Sequence, residues 1–182
     1  MTIKTRLIDY RDGDFVFEGM LAWDDAVDGP RPGVLVAHTI RGRSQFEESK
    51  AVALAEQGYT GFAVDVYGKE AIGSDIEACR EMMEALRSER AALQQRLLLA
   101  LQAMRDQPEV DATSVAAIGY CFGGLCVLDI ARTGEPLAGV VSFHGLFDPP
   151  GNTADNRIAA RVLALHGWDD PLATPEQAVA FG

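Results

Sequence analysis

Apolar and polar residues alternate along Thr2–Tyr10 and again along Asp14–Trp23, with Asp12-Gly13 between the two runs. Such alternation belongs to strands with one buried face, and Asp-Gly is a tight-turn signal, so the chain is predicted to open with an antiparallel hairpin. Asp24–Gly33 gathers acids, glycines and prolines and reads as a loop. From Val34 the pattern changes. Val34–Ala37 and Thr60–Val66 are continuous apolar runs of the buried, parallel-sheet type. Between them, Ser44 with Glu47 three positions later forms a capping box for a helix to about Gln57, which Gly58 stops. Strand, helix and strand at this spacing predict a right-handed parallel crossover.

Ser74 and Glu77 repeat the capping box, and the composition stays helical from Asp75 to about Gln107. A break is expected near Arg87-Ser88-Glu89, after which Leu93, Leu97, Ala100, Leu101 and Met104 recur on one face until Pro108 ends the segment. There follow a strand over Val115–Tyr120, a helix over Leu125–Arg132, a strand over Leu137–Phe143, an irregular loop over Gly145–Ala160 and a strand over Arg161–His166. Thr174-Pro175-Glu176 supplies the N-cap, first-turn proline and acid of a last helix. Five apolar strands alternating with helices after a hairpin specify a single α/β domain with a mainly parallel sheet covered by helices on both faces. Such sheets bind ligands beyond the carboxyl ends of their strands, which is where His38, Cys121, His144 and Asp169-Asp170 fall.

Charge removes some classes of partner. The 182 residues carry 16 basic and 27 acidic side chains, a formal net charge of -11, with no basic cluster free of acids. Nucleic acid and anionic membrane are therefore not expected as partners. The apolar runs are too short to span a bilayer, and Met1–Tyr10 lacks the basic start and apolar block of a secretory signal. Three scattered cysteines make neither a disulfide framework nor a metal-spaced set, which fits a reducing cytoplasm.

One cysteine stands apart. In Val115–Leu125 an apolar strand runs into Gly119-Tyr120-Cys121-Phe122-Gly123-Gly124 and then a helix, the pattern of a nucleophile elbow with sulfur in place of oxygen. Glycines two residues either side of Cys121 remove the Cβ atoms that would collide on so sharp a turn. The helix start beneath the sulfur favours thiolate over thiol. Cys79 and Cys126 lie inside predicted helices without a glycine frame and are expected to be inert buried thiols.

The elbow and the downstream His166-Gly167-Trp168-Asp169-Asp170-Pro171 together resemble the dienelactone hydrolase family, a branch of the α/β-hydrolase fold. The order of elements agrees along the whole chain. The resemblance implies hydrolysis of lactones and other esters by a Cys, His, Asp triad, with no metal or organic cofactor and a small-molecule ester or lactone as substrate. Matched by position, Cys121 is the nucleophile and Asp170, in front of the proline, is the triad acid, with Asp169 as its rival. The oxyanion hole falls to the backbone N–H groups of Phe122 and of Ile40, in the segment His38-Thr39-Ile40-Arg41-Gly42. Thr39 stands where many members carry a glutamate thought to act on the resting thiol, and with Phe143, His144 and Phe147 it is assigned to the substrate pocket. Family members bind the dienelactone carboxylate with arginine; Arg41, Arg43, Arg80 and Arg87 are available, but none sits in a matching motif. The same geometry accepts a phosphoryl centre, so activated aryl esters and phosphotriesters are expected as further substrates.

The fold's chain order puts the triad histidine after the acid, and no histidine follows Asp170. His38 reads as a loop anchor and His166 as a core histidine, which leaves His144 as the candidate substitute within the chain. The simpler expectation, and the one preferred, is that the protein continues past Gly182, since the family places its histidine one strand further on. A hydrolase-like binding or regulatory protein without catalysis, and a redox sensor built on Cys121, are the rival readings. The natural substrate and the oligomeric state are not legible in the sequence.

Overall fold

The computed structural model describes residues 1–69, 71 and 73–181. Among them, seven strands form one sheet: β1 (Ile3–Asp12), β2 (Phe15–Asp24), β3 (Arg31–Ala37), β4 (Thr60–Ala63), β5 (Val110–Tyr120), β6 (Gly139–Phe143) and β7 (Arg161–Leu165). Five helices accompany them: α1 (Gln45–Glu56), α2 (Ile76–Ser88), α3 (Arg90–Arg105), α4 (Phe122–Arg132) and α5 (Pro175–Phe181). The sheet order is β1-β2-β4-β3-β5-β6-β7. β1 and β2 form the expected antiparallel hairpin, and β2 joins β4 antiparallel, whereas β4, β3, β5, β6 and β7 run parallel.

The strands alternate buried faces. Met20, Ala22, Val36 and Ala63 meet Ala51 and Ala55 of α1, while Phe17, Leu21, Leu35 and Phe62 meet Leu93, Leu97 and Met104 of α3 and Leu125 and Leu128 of α4. Each fully buried leucine or phenylalanine of this second layer stabilises the fold by roughly 1.5–3 kcal/mol. At the far edge the described residues leave β7 uncovered. β7 pairs with β6, and all five of its residues are exposed, Leu163 at 51%.

Several boundaries differ from the sequence expectation. β3 begins at Arg31 inside the expected loop, because Arg31 and Pro32 pair with Val110 and Asp111 before the register shifts and resumes at Gly33 and Val115. That same pairing starts β5 five residues early. β4 stops at Ala63, three residues short, and Phe122 rather than Leu125 opens α4. The Ser44–Glu47 capping box forms as read, with Ser44 Oγ accepting the Phe46 N–H at 3.2 Å and Glu47 Oε2 accepting the Ser44 N–H at 3.0 Å. The second box does not. Asp75 caps α2 instead, its carboxylate accepting the Ala78 N–H at 2.9 Å. The break between α2 and α3 falls at Glu89, as expected.

Candidate active site

β5 carries Cys121 out of the sheet and α4 starts at the next residue. The Cys121 N–H donates to Phe143 O at 2.9 Å, and the residue adopts φ 57° and ψ -114°, a conformation that residues with a Cβ rarely take. Glycine makes room for it. A Cβ on Gly119 would lie 1.9 Å from Gly123 O, and one on Gly123 would lie 2.2 Å from Ala37 O. The half-buried Cys121 opens on a cavity of about 820 Å³ shared with Ile40, Phe122, His144 and Asp170, and walled on one side by Ile76, Arg80, Met83 and Arg87 of α2.

Asp170, on the loop after β7, points into this cavity, and Asp169 does not line it. Its Oδ1 accepts the Leu172 N–H at 2.8 Å and its Oδ2 lies 2.5 Å from His144 Nδ1, with only 5% of the side chain exposed. The Leu172 N–H above all, then the neighbouring imidazoles, hold the Asp170 carboxyl below the usual aspartate range. His144 follows β6 as Cys121 follows β5. It too has positive φ, 56°, and its N–H is fixed on Leu165 O at 2.9 Å, so the imidazole stands over the strand ends with 60% of its surface free.

The two backbone donors read from sequence both line the cavity. Phe122 is the first residue of α4, so its N–H has no carbonyl four residues back to bond. The Ile40 N–H makes no hydrogen bond among the described residues. Thr39, Phe143 and Phe147, assigned to the pocket from sequence, do not line this cavity. The Thr39 hydroxyl accepts the Arg41 N–H at 3.4 Å within the loop. Phe143 pairs with Tyr120 across β5 and β6 and stacks on it at 4.8 Å, on the sheet face opposite Val140 and Ser142. Phe147 is buried against His166 and Phe181.

The other candidates separate cleanly. His38 is 1% exposed, with Nδ1 2.6 Å from Thr39 O and Nε2 accepting the Val66 N–H at 3.3 Å. His166 bonds Ala173 O at 2.8 Å through Nε2, and its buried Nδ1 has no partner among the described residues. Cys79 and Cys126 are buried, and burial pushes the Cys126 thiol up. Arg80 and Arg87 do line the cavity, yet each is paired, Arg80 with Glu77 at 3.2 Å and Arg87 with Glu84 and Asp148 at 2.7 Å. Sequence reasoning missed that α2 walls the cavity, and it missed a second duty of Glu47. Buried completely, Glu47 accepts the Thr39 N–H at 3.1 Å as well as capping α1, a role its place in a capping box gave no sign of.

The sequence model of the dienelactone hydrolase family matches residues 17–181. Among solved structures, m3DLH superposes with a TM-score of 0.93 at 39% identity, over 99% of this chain and 75% of that one. A dienelactone hydrolase-like promiscuous phosphotriesterase from metagenomic libraries superposes with a TM-score of 0.91 at 38% identity and the same coverage. A Synechocystis sp. protein provisionally named a carboxymethylenebutenolidase is 28% identical over 96% of this chain and 77% of its own length. No helix among the described residues is long and apolar enough to cross a membrane. Since the family match begins in β2 and runs through the elbow, the acid-bearing loop and α5, the chain belongs to the dienelactone hydrolase family.

Proposed function

We propose that this family member hydrolyses carboxylic esters and lactones through a cysteine acyl-enzyme. The observation that carries the reading is the glycine-framed, positive-φ Cys121 at the mouth of a cavity that is also lined by Asp170, Ile40 and Phe122. Cys121 Sγ forms a bond to the acyl carbon while charge on the carbonyl oxygen is met by the Ile40 and Phe122 N–H groups. The alkoxide leaves with a proton from the imidazolium that Asp170 orients, and water then attacks the thioester to free the acid and restore the thiol. A neutral, activated phosphotriester offers a comparable electrophile, and the phosphotriesterase relative supports it as a secondary substrate.

The imidazole has two possible sources. His144 Nδ1 already lies 2.5 Å from Asp170 Oδ2, leaving Nε2 for the proton on sulfur. The family order instead puts the histidine after the acid, and residues 171–182 contain none. Hydrolysis of p-nitrophenyl acetate by wild type, Cys121→Ala and His144→Gln separates these cases. Wild-type turnover is expected to exceed that of Cys121→Ala by at least roughly 10³-fold, and equal rates would refute the hydrolase reading. A comparable loss in His144→Gln makes His144 the base, and retained activity assigns that role to an imidazole from elsewhere. Without turnover, and with a thiol of ordinary reactivity towards iodoacetamide, the binding-protein alternative stands.

A further inference from the structure

We infer that His38 is a positioning residue for the oxyanion hole, its buried imidazole fixing the plane of the peptide between Thr39 and Ile40 so that the Ile40 N–H is aimed into the cavity of Cys121. The inference rests on the hydrolase reading above and adds to it a residue outside the triad.

The geometry follows from an inventory of one loop. Among the backbone groups of Thr39 and Ile40, three of four are held. The Thr39 N–H donates to Glu47 Oε1 at 3.1 Å, Thr39 O faces His38 Nδ1 at 2.6 Å and accepts the Gly42 N–H at 3.3 Å, and Ile40 O accepts the Tyr67 hydroxyl at 3.1 Å. The fourth, the Ile40 N–H, has no acceptor among the described residues. Ile40 is half-buried and lines the cavity, so this donor is available to a group that arrives with substrate. The 39–40 peptide is trans, which makes its C=O and N–H point in opposite directions. Drawing Thr39 O onto the imidazole therefore turns the Ile40 N–H the other way, towards the cavity that Ile40 lines with Cys121 and Phe122.

The His38 ring has a defined tautomer. Nε2 accepts the Val66 N–H at 3.3 Å, so Nδ1 carries the proton that Thr39 O receives. Burial keeps the imidazole neutral, as this pair of bonds requires. Val66 follows β4, so the ring locks the oxyanion loop after β3 to the chain leaving the neighbouring strand.

Two substitutions divide the ring's bonds between them. The side-chain amide of His38→Asn occupies the place of Nδ1 and still donates to Thr39 O, losing Val66. That of His38→Gln reaches the place of Nε2 and still accepts the Val66 N–H, losing Thr39. With p-nitrophenyl acetate and the full chain, His38→Gln is expected to lower kcat roughly 10- to 100-fold with KM nearly unchanged, because a misaimed donor acts on the transition state. His38→Asn is expected to keep most of kcat. A residue that only fills the core predicts the reverse order, since glutamine keeps more of the volume. Equal kcat in both variants and wild type, or a larger loss in His38→Asn, overturns the inference. Should His38→Gln not fold, His38→Asn carries the test, since it keeps the donor to Thr39 O. Its kcat is expected to stay within a few-fold of wild type, and a loss of roughly 10-fold or more overturns the inference. A wild type no faster than Cys121→Ala defeats the hydrolase reading itself, and this inference with it.

Discussion

Cys121 and Gly123 depend on each other through one turn. The cysteine holds a backbone conformation costing of order 1–3 kcal/mol, and it is retained because β5, α4 and the Phe143 carbonyl determine it from three sides. Gly123→Ala would place a Cβ 2.2 Å from Ala37 O, with backbone rather than a movable side chain in the way. It is expected to destabilise the fold by more than about 1 kcal/mol and to displace Cys121, read as a lower thermal midpoint together with slower thiol alkylation. An unchanged midpoint would contradict the account of the turn. At this scale the elbow was legible in the sequence because glycine spacing is itself the steric requirement. The pairing of His144 with Asp170 was not, since 25 intervening residues separate them only in sequence and no local signal shows which loop tips meet. Phe143 does not line the cavity, because the strand's period of two, applied from buried Val140 and Ser142, turns it to the other face.

Among the elements, α2 and α3 are tied to the loop after β6 by charge. Arg90 grips the fully buried Asp129 of α4 in a two-point bond, at 2.6 Å and 2.5 Å, and also reaches Asp148 O at 2.9 Å. Replacing Asp129 by alanine strands Arg90 and Arg132 without their carboxylate and is expected to cost about 3–5 kcal/mol, measurable as a shift in the urea-unfolding midpoint. A loss below about 1 kcal/mol would mean the pair is solvated. At the start of α2, Asp75→Ala is expected to cost about 1 kcal/mol and Ser74→Ala almost nothing, since Asp75 and not Ser74 holds the Ala78 N–H. The sequence offered two adjacent cap residues, and periodicity cannot resolve a shift of one position. The hairpin and the break at Glu89 were legible because turn chemistry and composition mark them locally. The early start of β5 was not, because it depends on pairing with β3.

For the whole molecule, acid acts in two steps. His38 is buried, which lowers its pKa from the ordinary 6.5. The unfolded chain therefore takes up a proton below about pH 6.5 that the folded chain refuses, and this share of stability is lost as pH falls through that range. Asp24, Asp75, Asp111 and Asp170 accept backbone N–H bonds that lower their carboxyls from 3.8. Their contribution is present above that value and is lost as pH drops through the lowered ones. The urea-unfolding midpoint is expected to fall between about pH 7 and about pH 5, and His38→Gln is expected to flatten that fall. A flat wild-type profile would contradict the burial of a neutral imidazole.

The nucleophile can be tested without a natural substrate. The wild-type protein is mixed with p-nitrophenyl acetate, quenched in acid within the first turnover and digested for peptide mass mapping. The account predicts one acetyl group on the peptide carrying Cys121 and none on that peptide in Cys121→Ala. Acetylation spread over lysines, or an unmodified Cys121 while p-nitrophenol is released, would contradict it.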